Sequence, residues 1–161
     1  MELSDTCIEM QRIIKKECVL QGVVNTEQIE YVIATAMWET NHTCKPVKEA
    51  YWLSDGWRER HLRYYPYYGR GFVQITWKHN YEVFGKILGL DLVNHPELAL
   101  VPENAVKILV IGMRDGLFTG YSLNTFFGFG KTSDFIHARK IINGMDKAHV
   151  IASMAQSTSI A

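Results

Sequence analysis

Asn25-Thr26-Glu27-Gln28-Ile29-Glu30-Tyr31-Val32-Ile33-Ala34-Thr35-Ala36-Met37-Trp38-Glu39 is the stretch whose reading decides the fold. Asn25 is a good N-cap, and Gln28 stands three residues on, where a capping box would place it. Ile29, Val32, Ile33, Ala36 and Met37 then recur at helical spacing and define one buried stripe. At about 100° per residue, Glu39 falls beside Val32, at the edge of that stripe, while Glu27 and Glu30 point elsewhere. The chain therefore carries a carboxylate at the end of a buried helix, next to Trp38.

Working outward, residues 4–21 repeat apolar side chains at Cys7, Met10, Ile13, Ile14 and Val19, which predicts a first helix stopped by Gly22. Beyond residue 46 the helical period breaks down. Gly69-Arg70-Gly71 followed by Phe72-Val73-Gln74-Ile75-Thr76 reads as a turn entering a short strand. Residues 82–88 read as a short helix. Pro102 opens another, with Ala105, Ile108, Leu109, Gly112 and Met113 along one face. Gly116, Gly120, Gly128 and Gly130 mark an irregular aromatic loop, and two helices, over 133–142 and from about 146, close the chain. The expected class is mainly α, an α+β layout with a small β element, rather than alternating β/α units.

Length and composition fit one domain over residues 1–161. The chain has 47% hydrophobic and 21% charged residues, which supports an ordinary core. Seventeen basic residues balance 17 acidic ones, so no surplus of cations exists to hold nucleic acid. The N-terminus lacks the basic start and apolar core of a signal peptide, and no apolar run reaches membrane-spanning length, so stable membrane insertion is not expected. Three cysteines, Cys7, Cys18 and Cys44, without a CxxC spacing, read as free thiols in a reducing compartment. The six histidines form no zinc pattern, so neither metal nor cofactor is expected. No Gly-x-Ser-x-Gly elbow points to a serine hydrolase.

Ten of the 19 aromatics fall between Tyr51 and Tyr81, among Arg58, Arg60, Arg63 and Arg70. Flat rings flanked by polar donors suit sugars or single-stranded nucleic acid, and equally a tyrosine-rich core wall with solvated arginines. The carboxylates separate these readings. A carboxyl half-buried against an aromatic has its ionisation disfavoured, whereas one in a polar loop stays charged. Glu39 and Glu49 form such a candidate pair, and glycosidic bond cleavage requires one acid for the leaving oxygen and one base for water.

Several blocks then resemble one family. They are Ala34-Thr35-Ala36-Met37-Trp38-Glu39-Thr40, Lys45-Pro46-Val47-Lys48-Glu49-Ala50-Tyr51, and Tyr67-Tyr68-Gly69-Arg70-Gly71-Phe72-Val73-Gln74-Ile75-Thr76 with Asn80-Tyr81. Asn94-His95-Pro96-Glu97-Leu98-Ala99 and Ile141-Ile142-Asn143-Gly144 follow. In this order, over about residues 26–146, they resemble the glycoside hydrolase family 19 chitinase and endolysin group. The Tyr-Gly-Arg-Gly-x-x-Gln-Ile-Thr block carries most of the specificity. The resemblance implies a lysozyme-like helical domain with a substrate groove. Glu39 would be the general acid, Glu49 the general base, and Thr76 would help hold the water. Gln74, Asn80 and Asn143 would line the groove, and Tyr68 and Arg70 would shape it. The family inverts at the anomeric carbon, which demands room for water between acid and base.

Three departures stand out. Trp38 occupies a position where the family often has His, and the Glu39–Glu49 spacing is a residue longer than in some relatives, which leaves Glu59 as a fallback base. The disulfide-rich framework of the plant members is absent. A compact chain of this kind resembles the bacteriophage endolysin branch. Such a protein would accumulate in the host cytoplasm, reach the wall through a membrane lesion, and cut the β-1,4 bonds of peptidoglycan as a monomer, without a separate wall-binding domain. A chitinase acting on the same linkage between N-acetylglucosamine units is the alternative, and a non-catalytic glycan-binding module the second.

Overall fold

The computed structural model describes residues 3–128 and 130–157. Helix α1 spans Asp5–Leu20, and Ser4 caps it by accepting the Cys7 N–H at 3.2 Å. Helix α2 spans Thr26–Glu39, and Asn25 accepts the Gln28 N–H at 3.0 Å, as the sequence predicts. The reciprocal half of the capping box is not made. Instead the Gln28 amide donates to Asn124 Oδ1 and to the Phe127 carbonyl, which ties α2 to a distant segment.

The stripe reading of α2 is also too modest. Nine of its 14 residues are buried, Tyr31, Ala34 and Thr35 included, so the helix is enclosed rather than amphipathic. It packs against α1, against α5 (Pro102–Asp115) and against the last helix, α7 (Ala148–Ser157). A helix covered on all sides carries apolar residues all round, which a one-face pattern does not capture. The main core collects around it. A smaller cluster under α4 (Lys78–Leu88) holds Ile75, Tyr81, Phe84, Leu92, Ala99 and Ile108. Phe118 packs against both clusters, and Gly112 on α5 lets it do so, because a Cβ there would collide with the Phe118 ring.

Between α2 and α4 the chain forms the small β element. Strand β1, Val47–Lys48, pairs antiparallel with β2, Arg70–Gly71, in the register Val47 to Gly71 and Lys48 to Arg70. The sequence places the strand at 72–76; the structure puts it on Arg70–Gly71, with 72–74 a tight turn that returns Ile75 to Arg70. A short helix α3, Asp55–His61, lies between the strands; its seven residues hold too little periodicity to register in the sequence. Helix α6 is Leu123–Phe126, and the segment expected to be helical over 133–142 is only a 3₁₀ turn, His137–Ile141.

The cysteine reading is corrected. Cys7 and Cys44 form a disulfide with Cα atoms 5.0 Å apart, and only Cys18 is free among the described residues. The bridged partners lie 37 residues apart, a distance that spacing motifs do not register. The bridge fastens the loop after α2 to the first turns of α1. Burial pushes the Cys18 thiol up to about 12.

Among the described residues no helix is long and apolar enough to cross a membrane, and no group of three or more His, Cys, Asp or Glu could hold a metal ion. The leader reading rests partly on residues 1–2, and the uncharged-tail reading partly on 158–161, which lie outside the described residues.

Candidate active site

Glu39 is the last residue of α2. A carboxylate there meets the negative end of the helix dipole and needs a cation. Arg139 supplies it. From the 3₁₀ turn His137–Ile141, its Nη1 donates to Glu39 Oε1 at 2.6 Å, and its Nε donates to the Asp146 carbonyl at 2.8 Å. The guanidinium is buried, whereas the Glu39 side chain keeps 21% of its surface exposed. Glu39 is therefore held by an ion pair and not by the aromatic wall of Trp38 alone. Its Oε2 makes no hydrogen bond to the described protein. Sequence reasoning missed Arg139. The available signal was an arginine set among Ala138, Ile141 and Ile142, directly before the quoted Ile-Asn-Gly block.

Glu49 follows β1 and is clamped on both oxygens. Its backbone N–H donates to the Gly69 carbonyl at 2.7 Å, continuing the β1–β2 pairing. Oε1 accepts the Gly69 N–H at 2.9 Å, and Oε2 accepts the Tyr64 hydroxyl at 2.6 Å. Burial, reinforced by that bond to Glu49, pushes the Tyr64 hydroxyl up to about 12, so it remains a donor throughout the neutral range. Glu59 is exposed on α3, with no hydrogen bond or ion pair among the described residues. Of the two candidate bases, Glu49 is the one built into the structure.

The remaining residues divide into those that can reach a ligand and those that support them. Gln74 donates its amide to the Val47 carbonyl at 2.6 Å and to the Gly71 carbonyl at 3.3 Å, so it braces the sheet. It packs so closely over Gly69 that a Cβ there would sit 2.6 Å from Gln74 Oε1; only glycine allows the approach. Arg70 is buried. Its Nη1 donates to the Pro66 carbonyl at 2.9 Å and to the Tyr81 hydroxyl at 3.0 Å, with the guanidinium 3.7 Å from the Tyr68 ring centroid. Tyr81 in turn donates to the Tyr68 carbonyl at 2.5 Å. Tyr68 and Arg70 thus form a core under the site. Asn80 donates to the Thr76 carbonyl at 2.8 Å and fixes Thr76, whose hydroxyl has no protein partner among the described residues. Asn143 is exposed at the end of the turn that carries Arg139, and its Oδ1 accepts the Gly144 N–H at 2.9 Å.

Two further features escape sequence reading. Arg58, read as solvated, is buried, and its Nη1 donates to the carbonyls of Glu49, Ala50 and Leu53, which pins the chain beyond Glu49. Six of the seven non-glycine residues with left-handed φ among the described residues are Asn41, His42, Cys44, Ala50, Gln74 and Trp77, all between the end of α2 and the start of α4. Such positions cost about 1–3 kcal/mol each and persist where surrounding contacts over-determine them, as at binding and catalytic sites.

The comparisons with known proteins converge on the same region. Residues 50–110 match the model of the family described as chitinase class I. That stretch is similar to chitinase class I. It contains Tyr68, Arg70, Gln74, Thr76 and Asn80, and it begins one residue after Glu49. The chain is 31% identical to basic endochitinase CHB4 of Brassica napus over 134 residues, 76% of this chain and 44% of that protein. It is 64% identical to chitinase 11 of Oryza sativa over 33 residues, 20% of this chain and 13% of that one. It is 56% identical to inactive chitinase-like protein 1 of Hevea brasiliensis over 32 residues, 20% of this chain and 10% of that one. The chain thus spans less than half the length of these curated relatives. Similarity to an endochitinase extends well beyond residues 50–110, and the mainly helical fold with a two-stranded sheet agrees with the lysozyme-like expectation.

Proposed function

We propose that this chain is an inverting glycoside hydrolase that cleaves β-1,4 bonds in glycans containing N-acetylglucosamine, with chitin as the polymer. The observation that carries the reading is the clamped Glu49 carboxylate, set directly before the stretch similar to chitinase class I. Glu39 Oε2, the oxygen that Arg139 leaves free, carries the proton to the leaving glycosidic oxygen. Glu49, oriented by Tyr64 and Gly69, removes a proton from the attacking water, and the Thr76 hydroxyl holds that water. Release of new reducing ends from chitin oligomers tests this, with the anomeric form of the first product read by NMR. Product of retained configuration, or no reducing ends at all, sinks it. The last outcome with glycan binding intact would favour a non-catalytic binding module.

A second reading is the endolysin. A groove of about 570 Å³ is lined by Lys45, Lys48, Thr6, Thr43 and Tyr51 among others, and by no carboxylate. Two ammonium groups suit a strand that bears carboxylates, as peptidoglycan does, better than neutral chitin. In that reading the protein is made in the host cytoplasm and reaches the wall through a membrane lesion. The Cys7–Cys44 bridge suits a site of action outside the reducing cytosol. Relative kcat/KM on chitin oligomers and on peptidoglycan strands decides between the two polymers.

A further inference from the structure

Trp77 differs from the other exposed aromatics of the 51–81 region in having a strained backbone. Its φ is 69°, and 47% of its surface is exposed. A bulky side chain in the left-handed region is a genuine outlier. Burial does not offset that strain when half the residue stays wet. Capping does not either, since Trp77 precedes α4 without a side-chain cap bond. The backbone is nonetheless held on both sides. Its N–H donates to the Tyr67 carbonyl at 2.9 Å, and its carbonyl accepts from the Asn80 N–H at 3.1 Å.

What this conformation achieves is a placement. The indole lies against the Tyr64 ring, centroids 4.9 Å apart, with the Arg63 guanidinium 5.6 Å from the Trp77 ring centroid. Tyr64 donates its hydroxyl to Glu49 Oε2. Thr76 is the preceding residue. A partly exposed aromatic is therefore fixed one ring away from the Glu49 carboxylate. An indole offers an apolar face to the C–H side of a sugar ring, and a guanidinium at its edge offers donors to hydroxyl and acetamido oxygens. A nucleotide would stack equally well, but its phosphate would face Glu49.

We propose that Trp77 is a sugar-stacking residue that receives an N-acetylglucosaminyl ring beside Glu49. Arg63 donates to the substituents of that ring, and Tyr64 couples the platform to the carboxylate. The proposal rests on the glycoside hydrolase reading above and adds the contact that seats the sugar next to the base.

The test is calorimetric titration of the N-acetylglucosamine tetramer into the Glu39→Gln chain and into the same chain carrying Trp77→Gly or Trp77→Phe. Glycine accepts the left-handed φ without strain, so Trp77→Gly folds with a Tm no lower than its parent, and a loss of binding is not a loss of fold. Trp77→Gly is expected to weaken binding about tenfold, and Trp77→Phe to recover part of it. Binding by Trp77→Gly within twofold of the parent, or no binding by the parent itself, overturns the proposal. Trp77-dependent binding by a wild-type chain that releases no reducing ends keeps the stacking residue and removes the hydrolase reading. Cleavage with Trp77-independent binding does the reverse.

Discussion

Replacing Glu39 by glutamine tests the acid assignment, but the structure shows that it also breaks an ion pair. Arg139 is buried, and its Nη1 has Glu39 Oε1 as its carboxylate partner at 2.6 Å. Removing one member of a fully buried pair costs about 3–5 kcal/mol, because the other charge is left uncompensated. Glu39 is 21% exposed, and the substituted amide would still offer Arg139 a neutral oxygen, so a loss of about 2 kcal/mol is the expectation. In a chain of this size that lowers Tm by roughly 4–8 °C. Loss of a general acid adds a fall in kcat of about 10²–10⁴. The two effects separate in the double variant Glu39→Gln with Arg139→Met, where no buried charge is left unpaired. Thermal unfolding by circular dichroism and reducing-end release below the lower Tm give both readouts. The double variant should regain most of the stability and none of the activity. An unchanged Tm in Glu39→Gln would show that the ion pair contributes nothing in solution. Activity within threefold of wild type in the folded variant would remove Glu39 as the acid.

Three other outcomes follow from particular contacts. Tyr64→Phe deletes the donor on Glu49 Oε2 and should lower kcat about tenfold with little change in KM, since a hydrogen bond to a charged group is worth about 1.5–3 kcal/mol; an unchanged kcat would show that Gly69 orients Glu49 unaided. Reducing the Cys7–Cys44 bridge reopens a loop whose ends are 37 residues apart and should destabilise the chain by about 3–4 kcal/mol. Thiol titration should find one reactive group in denaturant without reductant and three with it; three without reductant would remove the bridge. Alkali should also destabilise the fold. Cys18, Tyr64 and Tyr81 are each pushed up to about 12, from ordinary values of 9.0, 10.0 and 10.0, with burial the largest cause in each. Above pH 9 the unfolded chain loses these protons and the native one keeps them, so stability falls as pH rises from about 9 toward 12, by up to ~1.4 kcal/mol per unit per group. A flat denaturation midpoint over that range would contradict the burial of these groups.

Local chemistry makes much of this protein legible from its residues alone. Asn25 and Ser4 announce helix starts because a cap is settled within three residues. Ile29, Val32, Ile33, Ala36 and Met37 declare α2 because their spacing matches its period, and Pro102 marks the start of α5 for the same local reason. The ordered blocks around Glu39, Glu49 and Thr76 point to family 19 because motif order survives in the linear chain. Only tertiary structure decides which partners those residues have. Arg139 reaches Glu39 across 100 positions, Cys7 reaches Cys44 across 37, and Gln28 leaves its own cap for Asn124 across 96. Periodicity and spacing report on neighbours within a turn or two, whereas a buried charge, thiol or amide is satisfied by whatever the packing of α2 against its surroundings brings within about 3 Å. The same limit explains Tyr68 and Arg70, which sequence places at the groove and packing places beneath it.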